Sequence, residues 1–140
     1  MENKNVLDAG DIPQVAMDAM NDVHRNELNI VNELNAAIFA NDPEKVTQLC
    51  DSWLEHTQVH FDRENSMMET YGFPAYHCHH GEHVEAIQGL ESILNTWKKD
   101  NDLLGLAEYV RNIWPKWYVN HISTMDVVTS AFIKQSIENG

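Results

Sequence analysis

Apolar residues recur at three- and four-residue intervals along nearly the whole chain, the period of helices that bury one face. The first stripe reads Met20, His24, Glu27, Val31, Leu34, Ile38, and the second Leu49, Trp53, His56, His60, Glu64, Met67, Tyr71. A third reads Tyr76, His79 or His80, His83, Ile87, Leu90, Leu94, and a fourth Ala107, Val110, Trp114, Trp117, His121, Met125, Val128. Strand-type alternation is absent. Pro13, Pro43 and Pro74 each suit a first helical turn, where a missing N–H costs nothing. Asp42 is a good N-cap, Asp11 could serve near Pro13, and Gly72 is a helix stop. The pattern predicts helices over about 13–40, 43–71, 74–99 and 102–136. Short turns make neighbours antiparallel, so the expected fold is all-α, an up-down-up-down antiparallel four-helix bundle. Pro115 lies inside the fourth stripe and predicts a kink near Arg111, whose carbonyl loses its i+4 donor.

The stripes are interrupted by histidines and carboxylates where Leu or Ile would ordinarily stand, in all four helices. Register arithmetic tests whether these residues meet. His24 lies about 16 residues before the first turn and His60 about 17 after it. Glu64 and His60 precede the second turn by about 7 and 11 residues, while His79 and His83 follow Pro74 by 5 and 9. His83 and His79 lie about 16 and 20 residues before Lys99, and His121 and Asp126 about 19 and 24 after Asp102. Each step agrees within roughly one turn, about 5.4 Å, so seven polar side chains converge on one slice of the bundle. His60/Glu64 and His79/His83 are i,i+4 pairs on one helix face. His121 and Asp126 are i,i+5, about 140° apart in an α-helix, and are not expected to chelate one ion as the others can. A lone core histidine is more often an ordinary hydrogen-bonded residue than a ligand. Seven such groups at one level, buried without partners, would cost several kcal/mol. A metal site is the reading that relieves this cost.

Composition narrows the class. With 140 residues and 43 % apolar content, a single soluble domain over 1–140 is expected. No apolar run approaches the roughly 20 residues that span a bilayer. Met1-Glu2-Asn3-Lys4-Asn5 lacks the basic-then-apolar pattern of a signal peptide. Two cysteines, Cys50 and Cys78, are too few for a disulfide framework and have no zinc-type pairing. These features fit the cytoplasm. A net charge of −13 argues against nucleic acid or an anionic membrane as partner; no protein partner is indicated. Eight histidines are the unusual count.

Five imidazoles and two carboxylates exceed what one tetrahedral zinc uses, and oxygen-seeking calcium or magnesium does not want five histidines. Two metal ions sharing two carboxylates fit the count. Mixed N/O ligation suits iron, although the count alone does not fix the metal.

The spacing His60-Phe-Asp-Arg-Glu64, then Gly72-Phe-Pro-x4-His79-x3-His83, then Trp117-x2-Asn120-His121-Ile122-x3-Asp126, with His24 upstream, resembles the hemerythrin family. It lacks the Glu-x-x-His pairs of ferritin-type bundles. The resemblance covers nearly the whole chain and implies two Fe ions bridged by an oxo or hydroxo group and two carboxylates. It implies His79, His83 and His121 on one iron, His24 and His60 on the other, and Glu64 and Asp126 on both. The second iron then has one open position, where the resemblance implies reversible O2 binding in a pocket of Phe61, Trp117, Tyr118 and Ile122. The implied role is non-enzymatic: O2 storage, delivery or sensing, with storage or delivery favoured because no output module is evident. The alternatives are a di-iron enzyme acting on peroxide, NO or Fe(II), and an iron-buffering protein.

Two departures bear on that role. Tyr118 stands where many relatives have Leu, and its phenol either approaches the open position or turns to a bundle end or solvent. Asn65 stands where many have Glu. Glu27 and His56, each about 13 residues from the first turn, are expected to pair one turn from the metals, as a structural element or a proton relay. His77 and His80 are expected at the surface, and the two cysteines as buried bystanders or partly exposed thiols.

Overall fold

A computed structural model of the chain describes residues 5–140. The leader-peptide reading of Met1–Asn5 therefore falls, Asn5 apart, outside the described residues. Helices α1 (Asp18–Phe39), α2 (Pro43–Thr70) and α3 (Tyr76–Asp100) are followed by a fourth rod made of α4 (Leu103–Glu108), α5 (Trp114–His121) and α6 (Val127–Asn139). Two π-helical turns, Tyr109–Ile113 and Ile122–Asp126, join the segments of that rod. Successive rods pack on one another, and α2 also meets α6. The protein is an all-α four-helix bundle. Among the described residues, no helix is long and apolar enough to cross a membrane.

The turns follow from their residues. Asp42 accepts a hydrogen bond from the Lys45 N–H at 3.3 Å, with Pro43 in the first turn of α2. Gly72 has φ +64°, the left-handed conformation a glycine adopts without strain, and it follows α2 as expected. Asp102 accepts from the Gly105 N–H at 3.0 Å and opens the fourth rod.

The first helix starts at Asp18, five residues later than the position of Pro13 suggests. Residues 12–17 instead run as an extended strap whose polar groups are satisfied by side chains. The Val15 N–H donates to Asn21 Oδ1 at 2.9 Å, the Asn21 amide donates back to the Val15 carbonyl at 3.0 Å, and the Met17 N–H donates to Ser130 Oγ at 2.7 Å. Ile12 and Val15 are buried beneath the strap. A strap tied down at both ends needs no helix to satisfy its backbone.

Pro115 occupies the second position of α5, and the turn before it is π-helical rather than broken. The i+5 pattern there widens the ring that contains Arg111, so the missing proline donor is absorbed by the wider turn.

Along the bundle axis the buried residues form three layers. The larger core draws on Val31, Leu34, Val46, Trp53, Leu94 and Leu106, toward the turns at Asp42 and Asp102. A smaller cluster of Met68, Phe73 and Ile133 closes the opposite end. Between them lies the polar slice.

Candidate metal centre

All seven predicted ligand residues are buried, none more than 5 % exposed. They form two groups, each with one donor atom per residue and all those atoms within 4.8 Å of one another. One group is Glu64, His79, His83, His121 and Asp126; the other is His24, His60 and Glu64.

Each carboxylate divides its oxygens between the groups. Glu64 Oε1 faces Nε2 of His83 at 3.3 Å and of His79 at 3.5 Å, while its Oε2 meets His60 Nε2. Asp126 Oδ1 faces Nε2 of His79 at 3.1 Å and of His121 at 3.3 Å, while Oδ2 lies 2.9 Å from His24 Nε2. All five imidazoles therefore present Nε2 inward. Five of the atoms at the centre have no hydrogen-bond partner: Nε2 of His79, His83 and His121, Glu64 Oε1 and Asp126 Oδ1. Each such buried atom costs roughly 1–3 kcal/mol, a cost that a cation among them removes.

His121 and Asp126 do belong to one group, contrary to the α-helical expectation. The five residues Ile122–Asp126 form a π turn, in which positions five apart share a face. The 140° separation holds only for an uninterrupted α-helix.

Outer contacts orient three of the rings. His121 Nδ1 lies 2.7 Å from Glu82 Oε1, and His83 Nδ1 lies 2.9 Å from Asn65 Oδ1. Carboxylate and amide oxygens only accept, so these rings donate from Nδ1 and turn Nε2 toward the centre. His79 Nδ1 lies 2.7 Å from the Thr129 hydroxyl. The stripes did not single out Glu82 or Thr129. Their signal is indirect: a ligand imidazole buried to this depth needs an oxygen partner for its second nitrogen, and Glu82 is next to His83 in sequence.

The other two rings are held differently. His24 Nδ1 has no hydrogen-bond partner, and His60 Nδ1 is 3.7 Å from Glu27 Oε1. Glu27 does not pair with His56. Its second oxygen accepts from Trp53 Nε1–H at 3.2 Å, and its first faces His60. His56 and His60 are adjacent turns of one helix, and register counted to within a turn does not separate them. His56 is half-buried, its ring 6.3 Å from that of His60.

Aromatic rings wall the slice. Phe61 stacks on His83 at 3.9 Å and 6°, and Trp117 on His121 at 4.7 Å and 13°. Ile122 is fully buried. Tyr118 takes neither expected position: it is buried, its ring meets His24 edge-on at 6.0 Å, and its hydroxyl donates to the His24 carbonyl at 3.0 Å. His77 and Cys78 are exposed, His80 is half-buried against Tyr76, and Cys50 is buried.

The charges compensate one another. Burial works against ionised Glu64, yet the neighbouring His60 holds its carboxyl down at about 2. Burial likewise disfavours charged His60, but Glu64 and Glu27 lift it to about 10. His121 rises to about 9 against its own burial, through Asp126 and Glu82. Desolvation takes His83 the other way, down.

The family model described as the Hemerythrin HHE cation binding domain matches residues 13–129. The chain belongs to the hemerythrin family. Among similar proteins, it is 31 % identical over 102 residues to a bacteriohemerythrin of Ralstonia nicotianae, covering 73 % of this chain and 72 % of that one. It is 27 % identical over 111 residues to a bacteriohemerythrin of Aquifex aeolicus, covering 79 % and 85 %. A third, from Stenotrophomonas maltophilia, is 23 % identical over 108 residues, covering 77 % and 69 %. Within this hemerythrin-family chain the buried donors suit the cation-binding description.

Proposed function

We propose that this protein holds two iron ions and binds O2 reversibly. The observation that carries the reading is the division of Glu64 and Asp126, each with one oxygen toward the three-histidine group and the other toward the two-histidine group. In this reading His79, His83 and His121 hold one iron and His24 and His60 the other. Both carboxylates, with an oxo or hydroxo group, serve the two together. A bound iron pair supplies the redox chemistry of O2 uptake and release.

The protein's part is to count donors and exclude water. The two-histidine side offers one imidazole fewer, which leaves room for a small ligand there. Around the slice Tyr118 meets His24, Phe61 meets both His60 and His83, Trp117 stacks on His121 and Ile122 is fully buried, so the expected pocket residues form an apolar wall about both positions. Because its hydroxyl is engaged by the His24 carbonyl, Tyr118 contributes a wall rather than a hydrogen bond, which favours carriage over chemistry on the bound ligand. Glu82 stands behind His121 and steadies its ring, while Glu27 faces His60 across a gap of 3.7 Å. Storage or delivery of O2 in the cytoplasm, by one domain, is the role we assign.

Metal content measured together with visible spectra under argon and then air tests the reading. Two irons per chain and a charge-transfer band that appears in air and disappears on deoxygenation are expected. A single zinc per chain overturns it, and irreversible bleaching with peroxide turnover supports a di-iron enzyme instead.

A further inference from the structure

We propose that the two metal positions are unequal, the two-histidine position of His24 and His60 being filled last and emptied first. This rests on the two-metal reading above. Two differences point the same way. With both carboxylates shared, the three-histidine position has five donor residues and the two-histidine position four. Each ring of the first group is fixed through Nδ1 by Glu82, Asn65 or Thr129 at 2.7–2.9 Å. In the second group His24 Nδ1 has no partner, and the gap from His60 Nδ1 to Glu27 is 3.7 Å. A ring free to turn loses more entropy when it is fixed by a metal, and removing such an outer contact typically costs about 10–100-fold in affinity.

The consequence is a one-metal form, stable enough to accumulate, that lacks the second ion needed for O2 binding. Its abundance would follow the supply of free divalent metal and so set how much of the protein is competent.

The test uses the full chain loaded anaerobically with two equivalents of Co(II), then given excess EDTA and followed by native mass spectrometry. A one-metal species is expected to accumulate, with the second ion leaving at least about tenfold more slowly than the first. Imidazole NMR of that species is expected to show the large contact shifts of bound rings at His79, His83 and His121 and only smaller through-space shifts at His24 and His60. Asn65→Ala is expected to speed the slow phase severalfold and leave the fast phase unchanged. Loss of both ions in one phase, or a residual ion on His24 and His60, overturns the inference while leaving the two-metal reading intact. If no two-metal form assembles, both fall.

Discussion

Nε2 of His121 and Oδ1 of Asp126 lie 3.3 Å apart although they are five positions apart in the chain. The π turn Ile122–Asp126 is what brings them together. A π turn amounts to one extra residue accommodated in a helix, and here the turn lies between two of the seven candidate ligands. Ser123 and Thr124, at its outer edge, are exposed.

Deleting Thr124 converts the spacing to i,i+4, which in an α-helix also shares a face and advances by a similar length, about 6 Å. Two metals per chain are expected to remain. Inserting an alanine after Thr124 instead swings Asp126 by about 100° and is expected to abolish two-metal binding while helix content is kept. Metal analysis alongside circular dichroism checks both variants, and loss of metal in the deletion would contradict the geometry.

The convergence of the seven candidate ligands is legible because helical period and turn positions are both carried by sequence, and because misplacing a level by one turn still leaves them in one slice. What was not legible depends on angle rather than level. Glu27 was matched to His56 instead of His60, one turn away. The contact of His121 with Asp126 requires a π turn, and the apolar stripe misses it: its last member, Val128, is exposed, while Thr129, Ser130 and Ile133 face the core. Glu82, Thr129 and Asn65 contact the far nitrogens of the rings, so they stand on helix flanks, where polar residues are ordinary. The strap of residues 12–17 reads as a helix start because Pro13 suits one, and its partners Asn21 and Ser130 are polar residues that bear no local signal.

Glu82 accepts from His121 Nδ1 and is partly exposed. Removing it frees the ring without opening a large cavity. Glu82→Ala is expected to weaken metal binding about 10–100-fold. Glu82→Gln keeps an accepting oxygen and is expected to weaken it less. Competition titration with a chromophoric chelator measures both, and equal losses would mean that charge, not orientation, is what Glu82 supplies.

Tyr118→Phe removes the hydroxyl that donates to the His24 carbonyl and changes little else. The expected loss is about 1 kcal/mol, a fall of roughly 3–5 °C in Tm. The visible spectrum of the oxygenated protein is expected to be unchanged. A shifted band would show that the phenol reaches the bound ligand after all.

Burial pushes the Cys50 thiol up to about 12, so almost none of it is thiolate at neutral pH, whereas Cys78 is exposed. Ellman's reagent is expected to titrate one thiol per native chain and two after denaturation. Two in the native protein would mean that the core around Cys50 opens readily.

Metal uptake should be linked to proton release with a definite sign. In the metal-free protein His60 is held at about 10 and His121 at about 9, by Glu64 and Glu27 and by Asp126 and Glu82 against the opposing effect of burial. At pH 7.5 both imidazoles therefore carry a proton that an incoming ion must displace. Affinity is expected to rise with pH as those protons become easier to remove, and to level off above about 10. It is expected to fall steadily below neutrality, with each lost unit of pH favouring the protonated site. Calorimetric titration with Zn(II) at pH 7.5, in two buffers of different ionisation enthalpy, counts the protons. About two per chain are expected in the wild type. Glu27→Gln removes one of the charges that raise His60, and fewer protons are then expected. An unchanged count would separate Glu27 from the electrostatics of His60 and leave it only its contact with Trp53.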